Sequence, residues 1–64
     1  GHLPVVEIDD DQRRRFSHGQ SIGVSGFAPG EGRVYGVGRF LGLGRIEADG
    51  LLIPVRLVAE CGKA

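Results

Sequence analysis

The stretch that most constrains the fold is RFLGLGRI, residues 39–46, in which apolar side chains alternate with glycines between two arginines. Successive side chains of an extended chain point to opposite faces, so Leu41 and Leu43 are predicted to point one way and Gly42 and Gly44 the other. A strand with glycines on one face lets another backbone, or a ligand, approach closely. We expect a backbone, because both leucines are needed to fill a small core.

The length and the distribution of apolar residues predict one small domain. A chain of 64 residues buries only about 60% of the surface that its unfolded form exposes, so the core has to be small. No apolar run exceeds three residues, as in LLI at 51–53, and this is far too short to span a bilayer. No secretory signal pattern is present. We therefore expect a cytoplasmic domain without a membrane segment.

The two ends of the chain are assigned no part in the fold. Gly1 and His2 are interpreted as the remnant of an expression tag, residues 3–60 as the domain, and residues 61–64 as a frayed tail.

Cys61 is the only cysteine, which excludes an internal disulfide and is compatible with a reducing compartment. No second ligand lies near it in the sequence, so we expect no metal and no cofactor.

One helix is predicted, in the stretch DDDQRRRFSHG at residues 9–19. Asp9 and Gln12 have the spacing of a capping box, and Gly19 is placed to end the helix. The acidic residues precede the basic ones, which is the order that the helix dipole favours. Only Phe16 is clearly apolar, so the helix has to be held by docking onto the rest of the domain.

The remaining chain has the period of two that is typical of strands. Strands are predicted at residues 3–8, around Ile22 and Val24, from Val34 onward, at 39–46 and at 51–60. Residues 26–32 are predicted to be a loop, GVGR at 36–39 a tight hairpin, and EADG at 47–50 a second hairpin. Five to six strands with one short helix predict a mainly β fold, a small, closed or nearly closed barrel with the helix at one end.

The last strand region, LLIPVRLVAE, is the most apolar part of the chain. Alternate residues of this strand share one face, and we predict that this face packs in the core. Its members are Leu51, Ile53, Val55, Leu57 and Ala59. Pro54 cannot donate to a ladder and predicts a bend or a bulge.

The polar residues do not form a catalytic pattern. The run Asp9 to Asp11 is compatible with a metal or acid–base cluster, but helix capping accounts for it. His18 lacks an accompanying nucleophile pattern, so a structural position at the helix end is favoured. The glycines of YGVGRFLGLG resemble a phosphate-binding loop only loosely, because a strand follows them rather than a helix.

The arginines allow two interpretations. Arg13, Arg14 and Arg15 form the best electrostatic candidate for a phosphate contact, or else a solvated helix face paired with the preceding aspartates. Seven of the eight basic residues are arginine, which suits bidentate phosphate contacts, although an arginine-biased genome explains this equally well. The net charge of zero counts against a free-standing nucleic-acid binder.

Three stretches, FSHGQSI, GRFLGLGRI and IPVRLV, resemble the C-terminal PUA-like domain of bacterial tRNA pseudouridine synthases of the TruB type, which modify the T-loop. The similarity covers residues 3–60. The positions that carry it most specifically are Phe40, Gly42, Gly44, Gly50, Pro54, Arg56 and Leu57. The hairpin before FLG is shorter here than is usual in that family, since only GVGR is present.

The resemblance implies a PUA-like pseudobarrel that contacts tRNA through its helix, the glycine turn after it and the adjoining strand. Carried over to this sequence, the contact residues are Arg14, Arg15, His18, Gly19 and Gln20, with Arg39 and Arg45 as secondary candidates.

The resemblance also places the chemistry elsewhere in the protein. The family's aspartate nucleophile lies in a separate N-terminal domain that isomerises uridine, so no catalytic residue is expected here, and the partners are tRNA and that catalytic domain. The alternative is a structural or interaction module that packs on the catalytic domain, or dimerises, with little RNA contact.

Overall fold

The computed structural model describes residues 3–58 as five strands and one helix. In chain order these are β1 (Val5–Ile8), α1 (Asp10–Ser17), β2 (Ile22–Gly23), β3 (Gly30–Gly36), β4 (Arg39–Ile46) and β5 (Leu51–Leu57). The predictions for Gly1, His2, Ala59, Cys61 and the tail lie outside the described residues.

All five strands belong to one curled sheet in the order β1-β3-β4-β5-β2, which forms half of a barrel. β1 and β3 are parallel, because α1 and β2 lie between them in the chain, and the other neighbours are antiparallel. This confirms the predicted mainly β fold, a small pseudobarrel with one short helix and five strands.

The helix begins and ends at the residues that its sequence signals predict. The Asp9 side chain accepts a hydrogen bond from the Gln12 N–H at 2.7 Å, and the Gln12 side chain accepts one from the Asp9 N–H at 3.1 Å, which completes the capping box. Gln12 also donates to the carbonyl of Gly23 at 3.1 Å and so ties α1 to β2. Phe16 is the one fully buried residue of α1 and anchors it in the core.

The glycines of β4 admit the neighbouring strand, as predicted. A Cβ at Gly42 would run into the carbonyl oxygen of Arg56 on β5, and a Cβ at Gly44 would lie 2.6 Å from Cδ1 of Leu52. Both glycines are buried. The neighbouring strand β5 therefore fills the space beside both glycines and leaves no room for a ligand there.

Leu41 and Leu43 do not share a face, which corrects the prediction for β4. Two consecutive residues of β3 pair with Phe40 and Gly42, so Leu41 is the extra residue of a β-bulge and turns into the core. Leu43 lies opposite exposed arginines of β3 and β5 and is only half-buried. The bulge changes the parity of the strand, which simple alternation does not anticipate.

The predicted core face of β5 was also wrong. Leu52 is fully buried, because it pairs with Ile46 on one side and Ile22 on the other, and both are core residues. The residues of the opposite parity are exposed, namely Leu51, Ile53, Val55 and Leu57. The register skips Val55 where β5 faces Leu43 and Gly44, which confirms the predicted irregularity at Pro54.

Several strand boundaries differ from the prediction, since β1 begins at Val5 and β5 ends at Leu57. β3 begins at Gly30 rather than at Val34, because residues 30–33 pair with β4. Gly32 is closely packed there, since a Cβ would lie 3.2 Å from the carbonyl oxygen of Pro4. β2 has only two residues. The core, with one or more residues from every element, consists of Val6, Ile8, Phe16, Ile22, Val34, Leu41, Ile46 and Leu52.

Candidate nucleic-acid interface

The turn after α1 is closed by backbone hydrogen bonds in the Schellman arrangement. His18 ends the helix, and Gly19 has a φ of 82°, in the left-handed region that glycine adopts readily. The Gly19 N–H donates to the carbonyl oxygen of Phe16 at 3.0 Å, and the Gln20 N–H donates to the carbonyl oxygen of Arg15 at 2.9 Å. The N–H groups of Gly19 and Gln20 are engaged within the helix end and are not free to hold a phosphate.

The arginines of α1 are paired with the aspartates that precede them. Nε of Arg13 lies 2.9 Å from Oδ1 of Asp10. Nη2 of Arg14 lies 3.7 Å from Oδ1 of Asp11, and Nη2 of Arg15 lies 3.4 Å from Oδ2 of Asp11. Ion pairs between exposed side chains contribute only about 0–1 kcal/mol, so a phosphate can displace Asp11 at little cost. The helix and its N-cap hold three aspartates and three arginines and have no net charge.

The primary candidate residues form one exposed cluster, which we call the helix-end cluster. It consists of Arg14, Arg15, His18, Gly19 and Gln20. All five are exposed, and Arg14 and His18 lie one helical turn apart on the same side of α1. The exposure of these residues at the helix end agrees with the sequence, because they are nearly consecutive and a local helix signal positions them.

The secondary candidates lie away from the helix-end cluster. Arg39 begins β4 and lines a cleft of about 260 Å³ together with Asp10, Arg13 and Val37, beside the first half of α1. Arg45 lies near the other end of β4, where its neighbours across the sheet are Glu31 and Ile53. The structure therefore does not gather Arg39 and Arg45 into one site with the helix end.

Two further arginines come together that the sequence reasoning missed. Arg33 of β3 and Arg56 of β5 are the direct neighbours of Leu43 across the sheet, one on each side, and both are exposed. The two arginines lie in different strands, within stretches where apolar and polar residues alternate. No local sequence signal therefore marks either of them. Only the register of the three central strands brings them onto one face.

Residues 3–58 include neither a metal-binding group of side chains nor a membrane-spanning helix. Within residues 3–58 no three His, Cys, Asp or Glu side chains are grouped so that they could hold a metal ion. The same residues include no helix with the length and apolar character that a bilayer crossing requires.

Comparison with known proteins identifies the family. Residues 4–58 match the family described as Pseudouridine synthase II TruB, C-terminal. A tRNA pseudouridine synthase B from Aromatoleum aromaticum is 41% identical over 64 residues, which is 100% of this chain and 21% of that protein. The corresponding proteins of Dechloromonas aromatica and Burkholderia lata are 39% and 43% identical, over 88% of this chain and 19% of each relative.

The chain thus spans about a fifth of the length of the relatives that it matches. The matched stretch includes the helix, its closing turn and all five strands. The chain belongs to the C-terminal domain family of the TruB-type tRNA pseudouridine synthases.

Proposed function

We propose that this chain is the PUA-like, RNA-binding accessory domain of a tRNA pseudouridine synthase. It contacts tRNA while a separate N-terminal domain isomerises uridine in the T-loop. Family membership supports the connection to tRNA modification. The observation that carries the RNA contact is the exposed helix end, where Arg14 and Arg15 are held only by weak surface pairs with Asp11.

Each residue of the helix-end cluster has a defined part in this proposal. Arg14 and Arg15 exchange Asp11 for phosphate oxygens, to which guanidinium groups donate charge-assisted hydrogen bonds. His18 and Gln20 supply further side-chain donors at the same exposed turn. Gly19 shapes the turn through its left-handed backbone, and its N–H remains bound to Phe16.

The charge balance sets the expected strength of binding. The chain has no net charge, so the isolated domain should bind tRNA weakly, with the larger electrostatic attraction supplied by the rest of the enzyme. Binding through a few phosphates should also weaken steeply as salt rises, because counterions are released on association. These two properties fit an accessory contact within a larger enzyme.

Titration of labelled tRNA at low salt tests the helix-end contact. The double variant Arg14→Ala, Arg15→Ala is expected to weaken binding by about fivefold or more, since two phosphate contacts are lost. Asp11→Asn is the matched control, because it removes the carboxylate that competes for both arginines and should leave binding equal or tighter. An arginine double variant that binds like the wild type would contradict the proposal.

A second function is favoured by one surface. Five apolar side chains along and just after β5 are exposed, and we call this set the β5 strip. It consists of Leu51, Ile53, Val55, Leu57 and Val58. Clustered exposed apolar residues mark interaction sites, and β2 pairs with β5 only at its first two residues. The strip supports an alternative in which the domain packs on its catalytic domain and barely touches RNA.

A comparison in the parent enzyme separates the two functions. Removing the domain should lower tRNA affinity if it contacts RNA. If it only stabilises the catalytic domain, removal should instead lower thermal stability and turnover at saturating tRNA. The variant Ile53→Thr, Val55→Thr should likewise lower thermal stability and turnover at saturating tRNA, because threonine keeps the β-branch and removes apolar surface.

A further inference from the structure

Among residues 3–58, the arginines without an ion pair lie on the sheet, away from the helix end. β3, β4 and β5 together carry four arginines and one glutamate. The three arginines of α1 each lie within 4.0 Å of an aspartate, whereas among residues 3–58 no such ion pair involves an arginine of the strands. An anion approaching the sheet therefore meets guanidinium groups that no described carboxylate neutralises at close range.

The strand register places three of these arginines on one face. Arg33, Leu43 and Arg56 form a row across β3, β4 and β5. Neighbouring strands are about 4.8 Å apart, so the two arginines start about 10 Å from each other. Arg45 follows Leu43 by two residues on the same face of β4, about 7 Å along the strand. We call these three residues the arginine face.

This face is the outer side of the sheet. Val34, which follows Arg33 on β3, is fully buried on the inner side, and so is its neighbour Val6 on β1. Leu43 is half-buried between the two flanking arginines, and all three arginines are exposed. Two acidic residues border the face without an ion pair in the described structure. Glu31 is the cross-strand neighbour of Arg45, and Glu7 follows Val5, the neighbour of Arg33, by two residues on β1.

We propose that the arginine face is a second RNA-contacting surface, which binds the phosphate backbone of tRNA through Arg33, Arg45 and Arg56. The inference rests on the proposed function, because it assumes that the domain meets RNA. Guanidinium groups suit phosphate oxygens in geometry and charge. Contacts of this kind position a nucleic acid without reading its sequence. The helix end then supplies one contact region and the outer sheet another.

The salt dependence of tRNA binding by the 64-residue chain tests this proposal. The variant Arg33→Gln, Arg56→Gln should reduce the slope of log affinity against log salt by about two, because each phosphate contact contributes about one unit. Affinity at low salt should fall about tenfold. Arg33→Lys, Arg56→Lys keeps both charges and should retain most of the slope. Glu31→Gln, on the same face, should leave binding equal or tighter.

The outcomes separate this inference from the proposed function. If the glutamine variant keeps the wild-type slope while Arg14→Ala, Arg15→Ala weakens binding, the sheet contact is wrong and the helix-end contact stands. An unchanged slope is also the result expected if the face instead docks an acidic protein surface. If the wild-type chain does not bind tRNA at low salt, both proposals fail.

A measurement on the wild-type chain covers the case in which the glutamine variant fails to fold. Amide resonances of the 64-residue chain are followed by NMR while unlabelled tRNA is added. Shifts at residues 33, 43, 45 and 56 are expected, alongside those at the helix end. Shifts confined to residues 14–20 would overturn the proposal.

Discussion

Gly44 lies against Leu52 so closely that a Cβ on the glycine would be 2.6 Å from Cδ1 of the leucine. Leu52 is fully buried at the centre of the core, and the carbonyl oxygen of Ile53 lies 3.2 Å from the same position. Neither neighbour is the loose end of a flexible surface chain. The alternation of leucine and glycine in β4 is thus a packing requirement of the β4–β5 pair.

Gly44→Ala should destabilise the domain by about 1–3 kcal/mol, because the added methyl overpacks the core. Chemical unfolding by urea measures this. Gly23→Ala is the matched control, since a Cβ there meets no atom within 4 Å and its φ is not positive. Equal stability of the two variants would show that β5 can move away from β4 without loss.

Val37→Asn should stabilise the domain by about 1 kcal/mol, because a β-branched residue is strained at a positive φ. Val37 has a φ of 53° and Gly38 one of 74°, which is the geometry of a two-residue type I′ hairpin, where Asn-Gly is preferred. The Val37 side chain is 67% exposed, so little packing is lost. Val5→Asn, an exposed edge-strand position, should not stabilise. A lower melting temperature for Val37→Asn would contradict the assignment of strain.

Asp9→Ala should cost about 1 kcal/mol, because it removes the N-cap side chain that accepts from Gln12. Asp10→Asn is the comparison, since it breaks only the exposed pair with Arg13 and should change stability by less than about 0.5 kcal/mol. Thermal unfolding followed by circular dichroism measures both. Similar losses in the two variants would show that the capping box adds nothing beyond surface electrostatics.

Leu52→Ala should cost about 2–5 kcal/mol, enough to unfold a domain of this size, because the cavity lies in the centre of the core. Ile53→Ala, at the next position, should cost less than about 1 kcal/mol, since its side chain is 38% exposed. Urea unfolding of both variants decides which parity of β5 faces inward. A larger loss of stability for Ile53→Ala than for Leu52→Ala would contradict the structure and support the core face predicted from alternation.

The helix and the tight turns could be predicted from the sequence because their signals are local. The capping box needs only Asp9 and Gln12, and the helix end needs only Gly19 after the last helical turn. The hairpin at Val37 and Gly38 follows from its short length between two strands. The helix-end cluster was proposed on the same local signals, and its contact with RNA stays a prediction.

The face of each strand could not be predicted, because the register between strands decides it. The sequence of β5 shows more apolar residues in the parity of Ile53 than in that of Leu52, but Leu52 lies between Ile46 and Ile22 in the sheet. A bulge at Leu41 shifts β4 in the same way. The row formed by Arg33 and Arg56 depends on the same long-range pairing.

The most direct test of the central claim is an equilibrium titration of labelled tRNA with the 64-residue wild-type chain at about 50 mM and about 200 mM salt. We predict saturable, weak binding at the lower salt that falls steeply at the higher salt, as expected for a few phosphate contacts. Absence of binding at high micromolar protein in low salt, or binding that salt leaves unchanged, would contradict the account.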